Sequence, residues 1–303
     1  MMIASWNVNS VRVRKEHVAD WLRSHAPDAL GLQELKCRDE DFPLDDFEDL
    51  GYRCLVHGQK TYNGVALLTR NEVSEPTTGI PGLDDPQARA VAATVGDVRV
   101  INLYVPNGRE VGHDHYHYKL RWLDALTEWV RAELQRWPRL AVMGDFNIAP
   151  HDRDVHDPEE WRDKILCSAP ERDRLRALEE LGLKDSFRLF EQPDKTFSWW
   201  DYRAVAFRRN RGLRIDLVLL SEALAPACAE SGVDKAPRRL ERPSDHAPVF
   251  ARLACSLGAA RACYPILSAT PSFRDAHKSI HGAWRRHPCR RQSRKDGVAE
   301  RTQ

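Results

Sequence analysis

The sequence predicts an α/β layered sandwich, and three observations carry that expectation. Short apolar runs rich in β-branched residues recur through the first 255 residues. Amphipathic helical patterns separate only some of these runs. Several strand-like runs therefore follow one another directly, which argues against a simple doubly wound sheet. A hydrophobic share of 42% in 303 residues suffices for the core of one large domain or two small ones.

Taken along the chain, the first helix is marked by Val11, Val18, Trp21 and Leu22 on one face. Buried strands follow at Asp28 to Leu32, Val65 to Thr69 and Val98 to Leu103. Leu123, Leu126, Trp129, Val130, Leu134 and Trp137 share the face of a second helix, and Leu140 to Met143 is the next strand. Glu171 to Leu181 reads as a third helix with Gly182 just beyond its end. The last clear strand is Leu213 to Leu220. After Leu253 the composition turns to Ser, Gly, Ala, Pro and basic residues, with 10 Lys/Arg against 3 Asp/Glu in residues 256–303. The expected organisation is a catalytic domain over 1–255 and a basic, disordered tail over 256–303.

Bulk properties exclude some classes. No run approaches the roughly 20 apolar residues that span a bilayer, so a cytoplasmic location is expected. The seven cysteines are scattered and never form Cys-x-x-Cys, which signals neither a disulfide framework nor a zinc site. A formal net charge of +1 neither supports nor excludes nucleic acid, since a local cationic groove is enough to hold phosphates. His113, His115 and His117 alternate with polar residues and read as a solvated loop or helix start in preference to zinc capture.

Five segments place polar residues at the ends of predicted strands: Ser5-Trp6-Asn7-Val8-Asn9, Leu32-Gln33-Glu34-Leu35-Lys36, Asn102 to Asn107, Met143-Gly144-Asp145-Phe146-Asn147, and Leu213-Arg214-Ile215-Asp216 with Pro243-Ser244-Asp245-His246. Singly, each is ordinary; Asp145-Phe146-Asn147 alone is a common turn or helix cap. Together they imply strand ends converging on one solvent-facing cleft, because buried unpaired carboxylates are costly. Magnesium suits such a cleft, needing only one or two carboxylates, which Glu34 and Asp245 with help from Asn7 would supply.

These motifs, with His57-Gly-Gln-Lys, Asn63-Gly-Val-Ala-Leu-Leu-Thr69 and Phe197-Ser-Trp-Trp-Asp-Tyr-Arg203, resemble those of the exonuclease III and AP endonuclease family from residue 1 to about 254. The resemblance implies a four-layer sandwich, two mixed β-sheets face to face with helices outside. It also implies a DNA repair nuclease that incises abasic sites and removes nucleotides or blocking groups from 3′ ends. Mg2+ is the implied cofactor, with Mn2+ as a substitute, and a monomer acting on double-stranded DNA is expected.

By the same resemblance Glu34 is the principal metal ligand, with Asn7 and Asp245 near the ion, Asn9 lining the site, and Asp145 and Asn147 as further candidates. His246 pairs with Asp216. Asp145, oriented by Asn147, and His246 are rival acceptors of the water proton, and the reading favours Asp145 for the water and His246 for the phosphate. Tyr104 and Asn107 would donate to the scissile group. Trp199, Leu213 and Ile215 would wall an abasic pocket, with plain core as the competing reading for the last two. Arg203, Arg109, Lys119 and Arg211 would grip phosphates, with a solvated surface cation as the competing reading for each. Two rivals stand beside this reading: a phosphatase of the wider superfamily, and a noncatalytic RNA-associated regulator on the same scaffold.

Overall fold

A computed structural model describes residues 1–254 of the chain. The segment 256–303 lies outside the described residues. Twelve strands form two sheets: β1 Met2–Asn7, β2 Ala29–Gln33, β3 Arg53–His57, β4 Val65–Thr69, β5 Val73–Thr78, β6 Ala90–Val95, β7 Val98–Tyr104, β8 Leu140–Asp145, β9 Lys184–Asp185, β10 Asp216–Leu220, β11 Cys228–Val233 and β12 Val249–Leu253. One sheet runs β11-β12-β1-β2-β4-β3 and the other β5-β6-β7-β8-β10-β9. Each is antiparallel except for one central parallel pair, β1 with β2 and β7 with β8.

Strand alternation builds the layers. On β1, Ile3 joins Val65, Leu67, Val100, Met143 and Val218 between the sheets, whereas Met2, Ala4 and Trp6 face Val18, Trp21 and Leu22 of α1 (Val11–His25). On the second sheet, Ile101, Leu103 and Val142 meet Leu123, Leu126 and Val130 of an inserted long helix. Among the described residues five α-helices lie around the sheets: α1, α2 (Leu44–Glu48), α3 (Asp114–Arg136), α4 (Pro158–Trp161) and α5 (Ala169–Glu180). The result is the expected four-layer sandwich.

The polar contact between the sheets is specific. Asn102 on β7 donates through Nδ2 to Leu32 O at 3.0 Å and Ala66 O at 2.9 Å on the facing sheet, and accepts from Gln33 Nε2 at 2.5 Å. Gly31 makes room for it, since a Cβ there would lie 2.4 Å from Asn102 Oδ1. Gly144 is required for a different reason: at φ 150° its Cβ would sit 2.0 Å from Leu103 O of the neighbouring parallel strand.

Three local differences from expectation have clear causes. Helix α5 starts two residues before Glu171, because Ser168 caps it reciprocally with Glu171 and Pro170 fits the first turn. Its end matches, with Gly182 at φ 97°. The strand expected over Leu213 to Leu220 begins only at Asp216; Leu213 instead bridges Val155 and Trp199. His113 caps α3 by accepting from His115 N at 3.0 Å, so the alternating histidines mark a helix start.

Candidate active site

The two parallel pairs end at the same side of the sandwich, and that sets the site. Asn7 stands opposite Gln33 at the end of β1 and β2, so Glu34 follows directly. Tyr104 stands opposite Asp145 at the end of β7 and β8, and Asp145 opposite Asp216 at the start of β10. The Ser244-Asp245-His246 turn precedes β12, which is antiparallel to β1. Ser244 Oγ donates to Asn7 O at 2.6 Å and fixes this turn beside the first strand.

One amide joins the two sheets here. Asn7 Nδ2 donates to Glu34 Oε1 and to Asp145 Oδ2, each at 2.9 Å, so carboxylate oxygens from opposite sheets point at a common spot. Tyr104 OH donates to Glu34 Oε1 at 3.1 Å, and Lys36 Nζ lies 2.8 Å from Glu34 Oε2. Asp145 Oδ1 accepts from Asn147 N at 2.9 Å, and Oδ2 accepts from Asn147 Nδ2 at 3.3 Å. Asn107 Nδ2 in turn donates to Asn147 Oδ1 at 3.1 Å.

His246 faces this spot from the other side. Its Nδ1 lies 2.9 Å from Asp216 Oδ2, which leaves Nε2 toward Asp145 Oδ2 at 3.8 Å. Ser198 Oγ donates to Asp216 Oδ2 at 2.6 Å while accepting from Ile215 N and Asp216 N at 3.0 Å, so the carboxylate that orients the imidazole is itself held.

Burial and charge decide the protonation. Burial pushes Asp145 up to about 7, against the lowering effect of His246. Burial alone would lower His246, but Asp216 and Asp145 outweigh it and push the imidazole up to about 10, so the ring is cationic at neutral pH. Tyr104 is partly buried, and desolvation together with Glu34 and Asp145 drives its phenol well above the ordinary value and keeps it a hydrogen-bond donor.

The donor set suits a hard cation. Ligand atoms of Glu34, Asp145 and His246 lie within 4.8 Å of one another, and two of the three are carboxylates from different sheets with one shared amide between them. Asp245, expected near the ion, is not among those three: its Oδ1 accepts from Asn9 Nδ2 and its Oδ2 from the Trp199 indole, both at 3.0 Å. Burial would raise its pKa, yet His246 and these two donors hold it below the usual carboxylate value.

A profile of the endonuclease/exonuclease/phosphatase family matches residues 4–246. The chain belongs to that family. Exodeoxyribonuclease III of Haemophilus influenzae is 38% identical over 264 residues, covering 83% of this chain and 99% of that protein. A 3′ phosphatase from Neisseria, solved bound to a product DNA hairpin, is 47% identical with a TM-score of 0.83, covering 84% of this chain and 100% of that one. An AP endonuclease from Archaeoglobus fulgidus is 34% identical with a TM-score of 0.80, covering 84% and 99%.

Within this family member the expected substrate side is arranged unevenly. Trp199 is half-buried at the cleft, but Leu213 and Ile215 are 0% and 1% exposed and cluster with Val155, Leu166 and Cys167. Arg203 is exposed, its side chain 91% accessible, and Arg211 is tied to Glu160 at 2.7 Å. Lys119 is not the surface cation expected. It is fully buried and lies 2.5 Å from an equally buried Glu171, because it shares the helix face of Leu123, Leu126 and Val130. Its Nζ donates to Asn107 O at 3.2 Å and Asn147 O at 2.7 Å, beneath the loops that carry those residues.

Sequence pattern does not single out Lys36 and Ser198 as site residues. Both lie inside the Leu-Gln-Glu-x-Lys and Phe-Ser-Trp motifs, but only the positions of Glu34 and Asp216 reveal what they hold.

Proposed function

We propose that the chain is a divalent-metal-dependent DNA repair nuclease of the exonuclease III type, hydrolysing phosphodiesters beside abasic sites and at 3′ ends of duplex DNA. The observation that carries this is the convergence of Glu34, Asp145 and His246 within 4.8 Å at the meeting of two sheets. Glu34, with Asn7 and Asp145 beside it, would hold Mg2+. Bound there, the ion supplies charge neutralisation at the phosphate and at the departing oxygen. Asp145, held by Asn7 and Asn147, accepts the proton of the attacking water. Cationic His246, fixed by Asp216, neutralises the phosphate on its Nε2 side. Tyr104 and Asn107 donate hydrogen bonds to the same group, and Asp245 with Asn9 and Trp199 lines the edge of the cleft. Residues 1–255 suffice for this chemistry; a chain ending at residue 255 that folds but does not cut would contradict that.

The test is cleavage of a duplex bearing one tetrahydrofuran site, with Mg2+ and with EDTA. Cleavage that needs the ion and is abolished by Glu34→Ala supports the proposal, and equal cutting in EDTA refutes it. A weighting toward 3′ termini is favoured by the closed packing of Leu213 and Ile215, whose small exposure leaves little open wall for a flipped deoxyribose. Rates on a 3′-phosphate end and on an internal abasic site, measured side by side, separate the two substrate classes.

A further inference from the structure

We propose that Arg14 is a positioning residue that clasps three loops at the mouth of the active site and thereby sets Asn9 against Asp245; this rests on the nuclease reading above. The guanidinium has five N–H donors, and four hydrogen bonds direct it inward. Nε donates to Arg242 O at 3.1 Å, Nη2 to Pro243 O at 3.0 Å and to Tyr202 OH at 3.2 Å, and Nη1 to Asn9 O. The acceptors belong to three segments far apart in sequence: the turn after β1, the aromatic loop around Tyr202, and the turn that carries Asp245 and His246. Tyr202 OH closes the set by donating to Pro243 O at 2.9 Å.

The turn that Arg14 holds is strained. Asn9 and Ser10, both with side chains, have φ of 44° and 86°, left-handed conformations that persist only where surrounding contacts over-determine them. Asn9 N bonds to Asn7 Oδ1 at 3.0 Å and Ser10 N to Glu34 O at 2.7 Å; Arg14 supplies the side-chain hold on Asn9 O. The helix yields to make this reach: Arg14 has φ −110° and ψ 15°, a break in α1 at that residue. What the clasp secures is Asn9 itself, whose amide bonds Asp245 Oδ1 at 3.0 Å and whose Oδ1 accepts from Lys36 Nζ at 2.5 Å, the same ammonium that pairs with Glu34. Arg14 therefore stands one residue removed from both the carboxylate edge and the Glu34 side of the site.

A simpler role for an arginine near a nuclease cleft is gripping a backbone phosphate, and the two make different predictions. A phosphate grip acts on KM and on the salt dependence of binding, whose slope would change by about 0.9 for each phosphate no longer neutralised. A clasp acts on kcat and does so through Asn9. The experiment measures kcat, KM and their salt dependence on one duplex substrate for wild type, Arg14→Ala, Arg14→Lys, Asn9→Ala and the Arg14→Ala/Asn9→Ala double variant, with Tm recorded for each. Arg14→Ala is expected to lower kcat roughly 10- to 100-fold with KM and its salt slope unchanged, and adding it to Asn9→Ala should cost little more, a non-additivity diagnostic of shared action. Arg14→Lys, which keeps charge but cannot span three loops, should resemble the alanine variant. Loss confined to KM with a reduced salt slope, full rescue by lysine, or additive losses in the double variant would overturn the proposal. If wild type shows no nuclease activity on any duplex, it is the nuclease reading that fails, and the coupling is then read from hydrogen exchange at the Asn9 turn, which Arg14→Ala should accelerate.

Discussion

Two buried charge clusters flank one short stretch of chain, and they are balanced in opposite ways. Arg214 lies between Asp154 Oδ1 and Asp185 Oδ2, both at 2.7 Å, and Arg188 also reaches Asp154, so two carboxylates meet two guanidinium groups. Two residues along, Asp216 and Asp145 face a single imidazole. The pKa directions record the difference. Burial would raise Asp154, yet Arg214 and Arg188 hold it below the usual carboxylate value, whereas Asp145 is pushed up to about 7. Arg214 is itself raised against burial by its two aspartates, while the half-buried Arg188 is lowered, chiefly by desolvation. A buried cluster that serves the fold is neutralised by its own members; on the proposed function the other cluster serves chemistry and is left short of positive charge, which a divalent ion held beside Glu34 and Asp145 would supply.

The contrast is most sharply tested at the imidazole. His246→Ala should reduce the single-turnover rate on the order of 10²–10³-fold, and a loss smaller than about tenfold would break its functional half. Arg214→Met should do the reverse in kind: stranding Asp154 and Asp185 without their partner costs about 3–5 kcal/mol of stability, read from urea unfolding. Asp145→Asn is the complementary variant. Its ionised carboxylate is disfavoured in the folded state at neutral pH, because its pKa is raised above the unfolded value, so the amide should abolish cutting while leaving the fold as stable as wild type or more so. A marked drop in urea midpoint for that variant would mean that Asp145 belongs with the structural charges after all.

Acid titration separates the clusters further. Asp154 has a lowered folded pKa, so its contribution is present above the unfolded carboxylate value and is lost as pH falls through the folded one. Stability of wild type should therefore decline below about pH 4, and Asp154→Asn should flatten that decline while lowering stability at neutral pH. The smallest effect is expected at Ser198. Removing the hydroxyl from beneath Asp216 should cost about tenfold in rate, in keeping with the lower end of the about 1.5–3 kcal/mol that a charge-assisted hydrogen bond is worth, and Ser198→Thr should restore much of it.

The site was legible where polar residues interrupt apolar strands. Asn7, Glu34 and Asp145 each stand where a short apolar run gives way to polar residues, whereas Asp216 fell inside the strand expected over Leu213 to Leu220 and only the structure puts it at that strand's start. The four-layer arrangement followed from the resemblance more than from the runs themselves, because periodicity does not say which strands pair. Lys119 shows the limit well. Its burial was implicit in its spacing to Leu123 and Leu126 on one helix face, but the partner that makes a buried ammonium tolerable, Glu171, sits on another helix at a sequence distance no local pattern encodes. Arg14 and Ser198 were illegible for a related reason: each acts on groups brought together only by the pairing of β1 with β12 or the bridging of Trp199 to Leu213.

Asn102 is fully buried two residues before Tyr104, beneath the candidate active site, and ties together the sheets whose ends form it. Asn7, Glu34 and His246 ride on one sheet, Tyr104, Asp145 and Asp216 on the other, and the apolar attraction between them is non-directional. An amide that donates to two carbonyls of the facing sheet works as a dowel through two boards, fixing their alignment where grease alone would let them drift. Catalytic geometry in this molecule can therefore be detuned from its interior, by a change at residue 102 that alters no group within reach of substrate.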